Sequence, residues 1–170
     1  MSTPPPPSPP LSSALVSGDR KLDAPAFDEH VLRAASGLAA LGVRQGDCVA
    51  LLLRNDFAFL EASLAAVRLG AYAVPINWHF KGEEIAYVLA DCEARVLVAH
   101  ADLLAPVAEA VPATVTTIAV ATPPEIASAY GSAPGGVPPG ATSWDTWLTG
   151  FEPWRLQQAT SPMLPTILPR

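Results

Sequence analysis

Residues 46–99 read GDCVALLLRNDFAFLEASLAAVRLGAYAVPINWHFKGEEIAYVLADCEARVLVA. Strand, helix, strand, helix and strand follow one another here, each closed by its own punctuation. Residues 49–53, VALLL, show no polar alternation, and an uninterrupted apolar strand is what a sheet covered on both faces requires. Asn55 is a good N-cap for a helix over 56–69, and Gly70 stands where that helix should end. This helix is apolar almost all round. Its interior charges are Glu61 and Arg68, seven residues apart and therefore on one narrow wet line. A helix so patterned expects cover on more than its sheet side, and the chain holds little material to supply it. Residues 71–76 are the next strand, and Pro75 places its end at the sheet's margin or at a bulge. A second helix, 83–91, shows Ile85, Val88, Leu89 and Cys92 on one face. Its start is poorly capped, with Lys81 and Gly82 where Ser, Thr or Pro would serve better. Residues 95–99 are a third buried strand.

Working outward, residues 14–16 and 20–22 flank Ser17-Gly18-Asp19, which reads as a short hairpin. A helix over 27–41 follows, with Phe27, Val31, Ala34, Leu38 and Leu41 on one stripe. Gly42 supplies its left-handed end. Downstream, 102–110 is a short helix and 115–121 a fourth strand. Strands and helices alternating at this spacing predict an α/β fold, a mainly parallel, doubly wound sheet with flanking helices. Six of the nineteen prolines lie in residues 1–10, four between 22 and 120, and nine from Pro123 onward. The expected organisation is therefore a disordered, polyproline-like tail over 1–13, an α/β subdomain over 14–121, and a loop-rich extension over 122–170. In the last part Ser143 is placed to cap a short helix carrying Trp144, Trp147 and Leu148, and 163–168 is placed to form one more strand.

Charge and motif content exclude several functions. A net charge of −6, with Lys21 and Lys81 the sole lysines and eight scattered arginines, is opposite to a nucleic-acid surface. No run approaches the roughly 20 apolar residues of a membrane span, and a cytoplasmic protein is expected. Cys48 and Cys92 lack CxxC spacing and are expected as free thiols. The glycine–proline stretch 131–140 has no Lys-Ser/Thr pair and no helix to lead into, so it is not a phosphate loop, and GxGxxG, GxSxG and HExxH are absent. His100 with Asp102 reads as a strand end and helix cap rather than a metal site. Glu83 and Glu84, being adjacent, favour a helix N-terminus rather than paired acid/base work. Asn77-Trp78-His79-Phe80 follows the C-terminal end of a parallel strand, where ligands bind such sheets. It is either a binding loop or a set of aromatics plugging the sheet edge. No catalytic, cofactor-binding or metal-ligating residue is assigned.

The run from Leu38 to Ala99 resembles the N-terminal region of the adenylate-forming superfamily, the AMP-binding acyl-CoA synthetases with adenylation domains and luciferases as relatives. The likeness rests on Leu41-Gly42 and then Gly46-Asp47 before Val-Ala-Leu, and on Asn55 ahead of a helix with Phe59-Leu60-Glu61. It continues through Leu69-Gly70-Ala71, Val74-Pro75-Ile76-Asn77 and Glu84-Ile85-Ala86-Tyr87-Val88-Leu89, and takes in the upstream Val16-Ser17-Gly18-Asp19-Arg20. Asn77-Trp78-His79-Phe80 looks most like the fatty- or aromatic-acyl CoA ligase branch. The resemblance implies carboxylate activation by ATP and magnesium through an acyl-adenylate, followed by transfer to CoA. It also implies that the phosphate loop, magnesium carboxylate and catalytic lysine lie further along than this sequence reaches. Pro165-Thr166-Ile167-Leu168 resembles the strand entering that loop, with Pro169-Arg170 in the loop's place. The expectation is an amino-terminal piece of a ligase, binding no cofactor and inactive alone. Its exposed sheet edge and apolar helix 56–69 would promote self-association. Alternatives are a non-catalytic module that pairs with a full-length relative, or a small-ligand-binding domain with its site near Asn77-His79. The acyl substrate is not legible.

Overall fold

The computed structural model describes residues 14–155. The expectations for the proline-rich tail and for a strand over 163–168 lie outside the described residues.

Strands β1 (Ala14–Ser17) and β2 (Arg20–Asp23) form an antiparallel hairpin. Gly18 takes the turn with φ 58°, a conformation glycine adopts without steric cost. Helix α1 (Ala24–Ala40) begins three residues earlier than expected. Asp23 is its N-cap, accepting the Ala26 N–H at 2.8 Å, and Pro25 sits in the first turn, where its missing N–H costs nothing. Strand β3 (Cys48–Leu52) follows, then helix α2 (Phe57–Arg68) and strand β4 (Tyr72–Pro75). Next come α3 (Gly82–Asp91), β5 (Val96–His100) and α4 (Ala101–Leu104). The helix expected over 102–110 is α4 continued by a 3-10 turn, Ala105–Ala110. Pro106 lies in that turn, and its ring disfavours a continuing α-helix. Strand β6 (Thr116–Val120) completes the expected set. Helix α5 (Pro124–Ala129) and the two-residue strand β7 (Thr142–Ser143) were not anticipated. Helix α6 (Trp144–Thr149) starts after Ser143, which occupies the cap position without a side-chain bond.

The main sheet has the order β4-β3-β5-β6-β7 and is parallel throughout. Alternation along the strands sorts its side chains into two cores. Val49, Leu51, Val96, Val98, Ile118 and Val120 face α1, α2 and α6 on one side. Ala50, Leu52, Leu97, Ala99 and Ala119 face α3 and the residues around α4 on the other. That two-sided cover explains the lack of polar alternation in β3 and β5. Pro75 ends an edge strand, as its missing donor demands.

Three local expectations are corrected. The α2 N-cap is Asp56, not Asn55; Asp56 is the last extended residue, and its carboxylate pairs with Arg20 rather than capping the helix. Glu61 is not on a wet stripe but is 3% exposed, because His30 and Trp144 both donate to it. The start of α3 is better capped than Lys81 and Gly82 suggest: the Lys81 side chain makes no cap bond, but the Glu84 carboxylate reaches back to the Lys81 N–H at 2.9 Å, which satisfies one orphan donor.

Candidate functional site

In this strand order the chain moves from β3 outward to β4, then crosses back to β5 on the other side of β3. The direction of winding therefore reverses between β3 and β5, and the crevice beyond the C-terminal ends of those strands is where open parallel sheets bind ligands. Arg54 leaves the end of β3 there, His100 is the last residue of β5, Asp102 opens α4, and Thr122 follows β6.

These four side chains interlock. The His100 Nδ1 accepts the Arg54 backbone N–H at 3.1 Å. Arg54 Nη1 donates to both Asp102 oxygens, at 2.9 and 2.7 Å. Thr122 Oγ1 donates to Asp102 Oδ1 at 2.7 Å and receives the Asp102 N–H at 3.2 Å. Burial alone would raise the Asp102 carboxyl, but Thr122 and Arg54 together hold it below the usual carboxylate range. The Arg54 guanidinium is also covered by aromatic rings, with Trp78 at 5.4 Å and Tyr130 at 4.8 Å from their centroids; such stacking adds cation–π attraction.

A second clasp lies beside the first. Arg20, from the hairpin, pairs with Asp56 at the start of α2 and with Glu125 on α5, and its guanidinium lies 4.7 Å from the centre of the Phe57 ring. His100 Nε2 faces Asp56 Oδ2 at 3.7 Å, beyond hydrogen-bond range. Burial would raise the Asp56 carboxyl, yet the facing His100, the Phe57 backbone N–H and Arg20 together outweigh that and hold it at about 2. A cleft of about 370 Å³ runs from Arg20 and Asp56 past His30 and Glu61 to Thr122 and Asp145. An apolar cleft of about 460 Å³ lies on the other side of Asp56, between the hairpin, Phe59, Leu60 and Tyr130.

Each arginine at the crevice is thus already engaged by carboxylates. Arg54 is matched by Asp102, and Arg20 by Asp56 and Glu125. The arrangement can hold three strand ends, the hairpin and α5 in register. Two polar atoms of the cluster, Arg54 Nε and His100 Nε2, are buried without a hydrogen-bond partner. Among the described residues no group of three His, Cys, Asp or Glu is positioned to hold a metal ion, and no helix is long and apolar enough to cross a membrane.

Of the stretch singled out from sequence, Asn77 Oδ1 accepts the His79 N–H at 3.0 Å. Trp78 and Phe80 pack against the core beside α3, and His79 is exposed. Trp78 is therefore both a plug on the sheet edge and the lid on Arg54. His100 ends its strand and occupies the α4 cap position as expected, but its side chain makes no cap bond. Sequence reasoning missed Arg54. Its signal was available: a lone charge directly after an unbroken buried strand, at the end where such sheets place polar groups.

Comparison with known proteins agrees with this architecture. The model of the AMP-binding enzyme family matches residues 8–147. A medium/long-chain-fatty-acid–CoA ligase of Mycobacterium tuberculosis is 41% identical over 92 residues, 54% of this chain and 15% of that protein. A feruloyl-CoA synthase of an Amycolatopsis species is 38% identical over 102 residues, 58% of this chain and 21% of that protein. The crystal structure of an anthranilate CoA ligase in complex with anthranoyl-AMP superposes with a TM-score of 0.69 at 27% identity, over 86% of this chain and 26% of that one. A benzoate CoA ligase from Burkholderia xenovorans shares the fold, with a TM-score of 0.69 over 85% of this chain and 26% of its own. The chain thus spans about a quarter or less of the length of each of these four proteins. Since the family model covers well over half of its residues, the chain belongs to the AMP-binding enzyme family.

Proposed function

We propose that this chain is the amino-terminal scaffold of an ATP-dependent acyl-CoA ligase of the cytoplasm, acting in the metabolism of a fatty or aromatic acid, and that alone it activates no carboxylate. The ligase part of this reading is supported by relatives whose names are those of fatty-acid and feruloyl CoA ligases. The second part rests on one observation, the pairing of Arg54 with Asp102 and of Arg20 with Asp56 and Glu125 at the switch-point crevice. With both guanidinium charges matched by carboxylates, little net positive charge is left at the crevice to balance the charge that builds on phosphate oxygens during adenylation. ATP, magnesium and CoA would be bound by parts of the family fold that this sequence does not contain. In the test, the purified 170-residue chain is given ATP, magnesium and a panel of fatty and aromatic acids. Pyrophosphate release should stay at the acid-free background. Turnover that rises with acid concentration would overturn the proposal.

A second reading, association with a full-length relative, is favoured by the exposed Leu60, Leu64 and Val67 on α2. Co-purification of a stoichiometric complex with a tagged full-length ligase would support it.

A further inference from the structure

At the N-terminal ends of the strands, away from the switch point, the chain's two cysteines line one cleft, and the Arg95 N–H, three residues beyond Cys92, donates to the Cys48 carbonyl at 3.1 Å. Cys48 opens β3, and strand alternation turns it to the side of Ala50 and Leu52, the core that faces α3. Cys92 is the residue that closes α3, and it packs against that same core. Both residues are half-buried and free, and both line one cleft of about 430 Å³ with Asp47, Leu89, Arg95 and Val115. Burial raises the Cys92 thiol, and the neighbouring Cys48 thiol raises it further.

We propose that Cys48 and Cys92 form a modification site, closing to an intramolecular disulfide when the folded chain meets a low-molecular-weight disulfide. One cysteine, as the thiolate, attacks a sulfur of glutathione disulfide; a mixed disulfide forms and one glutathione thiolate leaves. The other cysteine loses its proton and attacks the protein sulfur of that mixed disulfide, expelling the second glutathione. Two protein thiols are oxidised and the oxidant's single disulfide is reduced to two thiols. The bond would staple the start of β3 to the end of α3 and restrict the unfolded chain over the intervening residues. It would leave the Arg54 and Arg20 clasps untouched, since those lie at the other end of the strands.

The test uses the whole chain incubated with glutathione disulfide, followed by alkylation and intact mass measurement. The folded protein should become lighter by two hydrogens, take up no alkylating agent, and yield a peptide joining Cys48 to Cys92. Cys48→Ser and Cys92→Ser should each stop at a single glutathione adduct. A chain with two cysteines can also close when unfolded, so the ratio of closed disulfide to mixed adduct is measured in buffer and in guanidinium. Native juxtaposition should raise that ratio about tenfold or more above the flexible chain. The closed form should also melt roughly 5–10 °C higher. Two alkylated thiols after exposure, a stable double adduct, disulfide-linked dimers, or an equal ratio in guanidinium would each overturn the proposal.

Discussion

Arg54 is the residue on which the switch-point crevice turns. Its side chain is 4% exposed and meets Asp102 with two short hydrogen bonds. Removing one partner of such a pair leaves the other charge buried and uncompensated, which costs more than the pair itself contributes. Arg54→Ala should therefore lower the unfolding free energy by about 3 kcal/mol, read from the urea midpoint at constant slope. Asp102→Asn should cost at least as much, about 3 kcal/mol or more, because the amide still accepts a hydrogen bond but leaves the Arg54 guanidinium, 4% exposed and unable to shed its proton, without a countercharge. The neighbouring Asp56 carries a pH dependence of definite sign. Its carboxyl is held at about 2 in the folded chain, below its ordinary value in the unfolded one. Its contribution is present in full above that ordinary value and is lost as pH falls toward 2. Asp102 is shifted in the same direction and adds to the loss. Stability measured between pH 5 and pH 2 should fall by on the order of 1 kcal/mol for Asp56 alone, after allowance for solvent screening. Asp56→Asn should flatten that part of the profile; an unchanged slope in Asp56→Asn would show that other carboxylates govern it.

At the level of elements, α1, α2 and α6 meet through small residues and aromatic rings. Gly37 lies inside α1, where glycine ordinarily weakens a helix by about 1 kcal/mol relative to alanine. The packing explains it: a Cβ at that position would stand 2.4 Å from Cζ2 of Trp147 and 2.9 Å from Cε2 of Phe151. Trp147 is itself held between Trp144 and Phe151, with ring centroids 5.4 and 5.3 Å away, so it has little room to yield. Gly37→Ala should accordingly destabilise by about 1–3 kcal/mol despite the gain in helix propensity, and Trp147→Leu in the same background should recover part of that loss. Thermal melts of the two variants decide it. This contact also marks how much could be read beforehand. The strands, α1 to α3 and the parallel arrangement were legible because apolar runs, three- and four-residue spacing and Gly42 and Gly70 are local signals. The short α5 and β7 were not. A two-residue strand has no period, and α5 carries a proline at its first position that reads equally as loop. The buried role of Glu61 was hidden for a different reason. A single carboxylate on an apolar helix looks like its wet side until His30 on α1 and Trp144 on α6 are known to converge on it. Arg20, Asp56, Glu125 and His100 come together from four separate parts of the chain, and no spacing rule links them.

The whole molecule is unevenly covered. On the side of α1, α2 is sealed, with Ala58, Ala62, Ala65 and Ala66 at most 4% exposed. Its outer side shows Leu60, Leu64 and Val67 at 39, 44 and 61% exposure. These positions recur at four and three residues and so form one stripe along the helix. The adjoining β4 is a sheet edge, and its Tyr72 is 64% exposed. An apolar helix stripe beside an open strand edge has the character of an association surface, and we propose that the isolated chain self-associates through it. The family relation gives this surface a setting, since the chain spans only 26% of the solved anthranilate ligase it resembles and could present to solvent a face that the longer protein covers. Either way the consequence for the isolated chain is the same. Sedimentation velocity should show a mass that rises with protein concentration across the micromolar range, and added salt should not reverse it, because the contact is apolar rather than ionic. Leu64→Glu combined with Val67→Glu should return the chain to a monomer while leaving the urea midpoint within about 0.5 kcal/mol of the parent, since neither side chain takes part in the core. If the double variant associates as strongly as the parent, the strand edge rather than the helix stripe is the contact. A lysine at Tyr72, facing outward on that edge, is then the substitution that should disperse it.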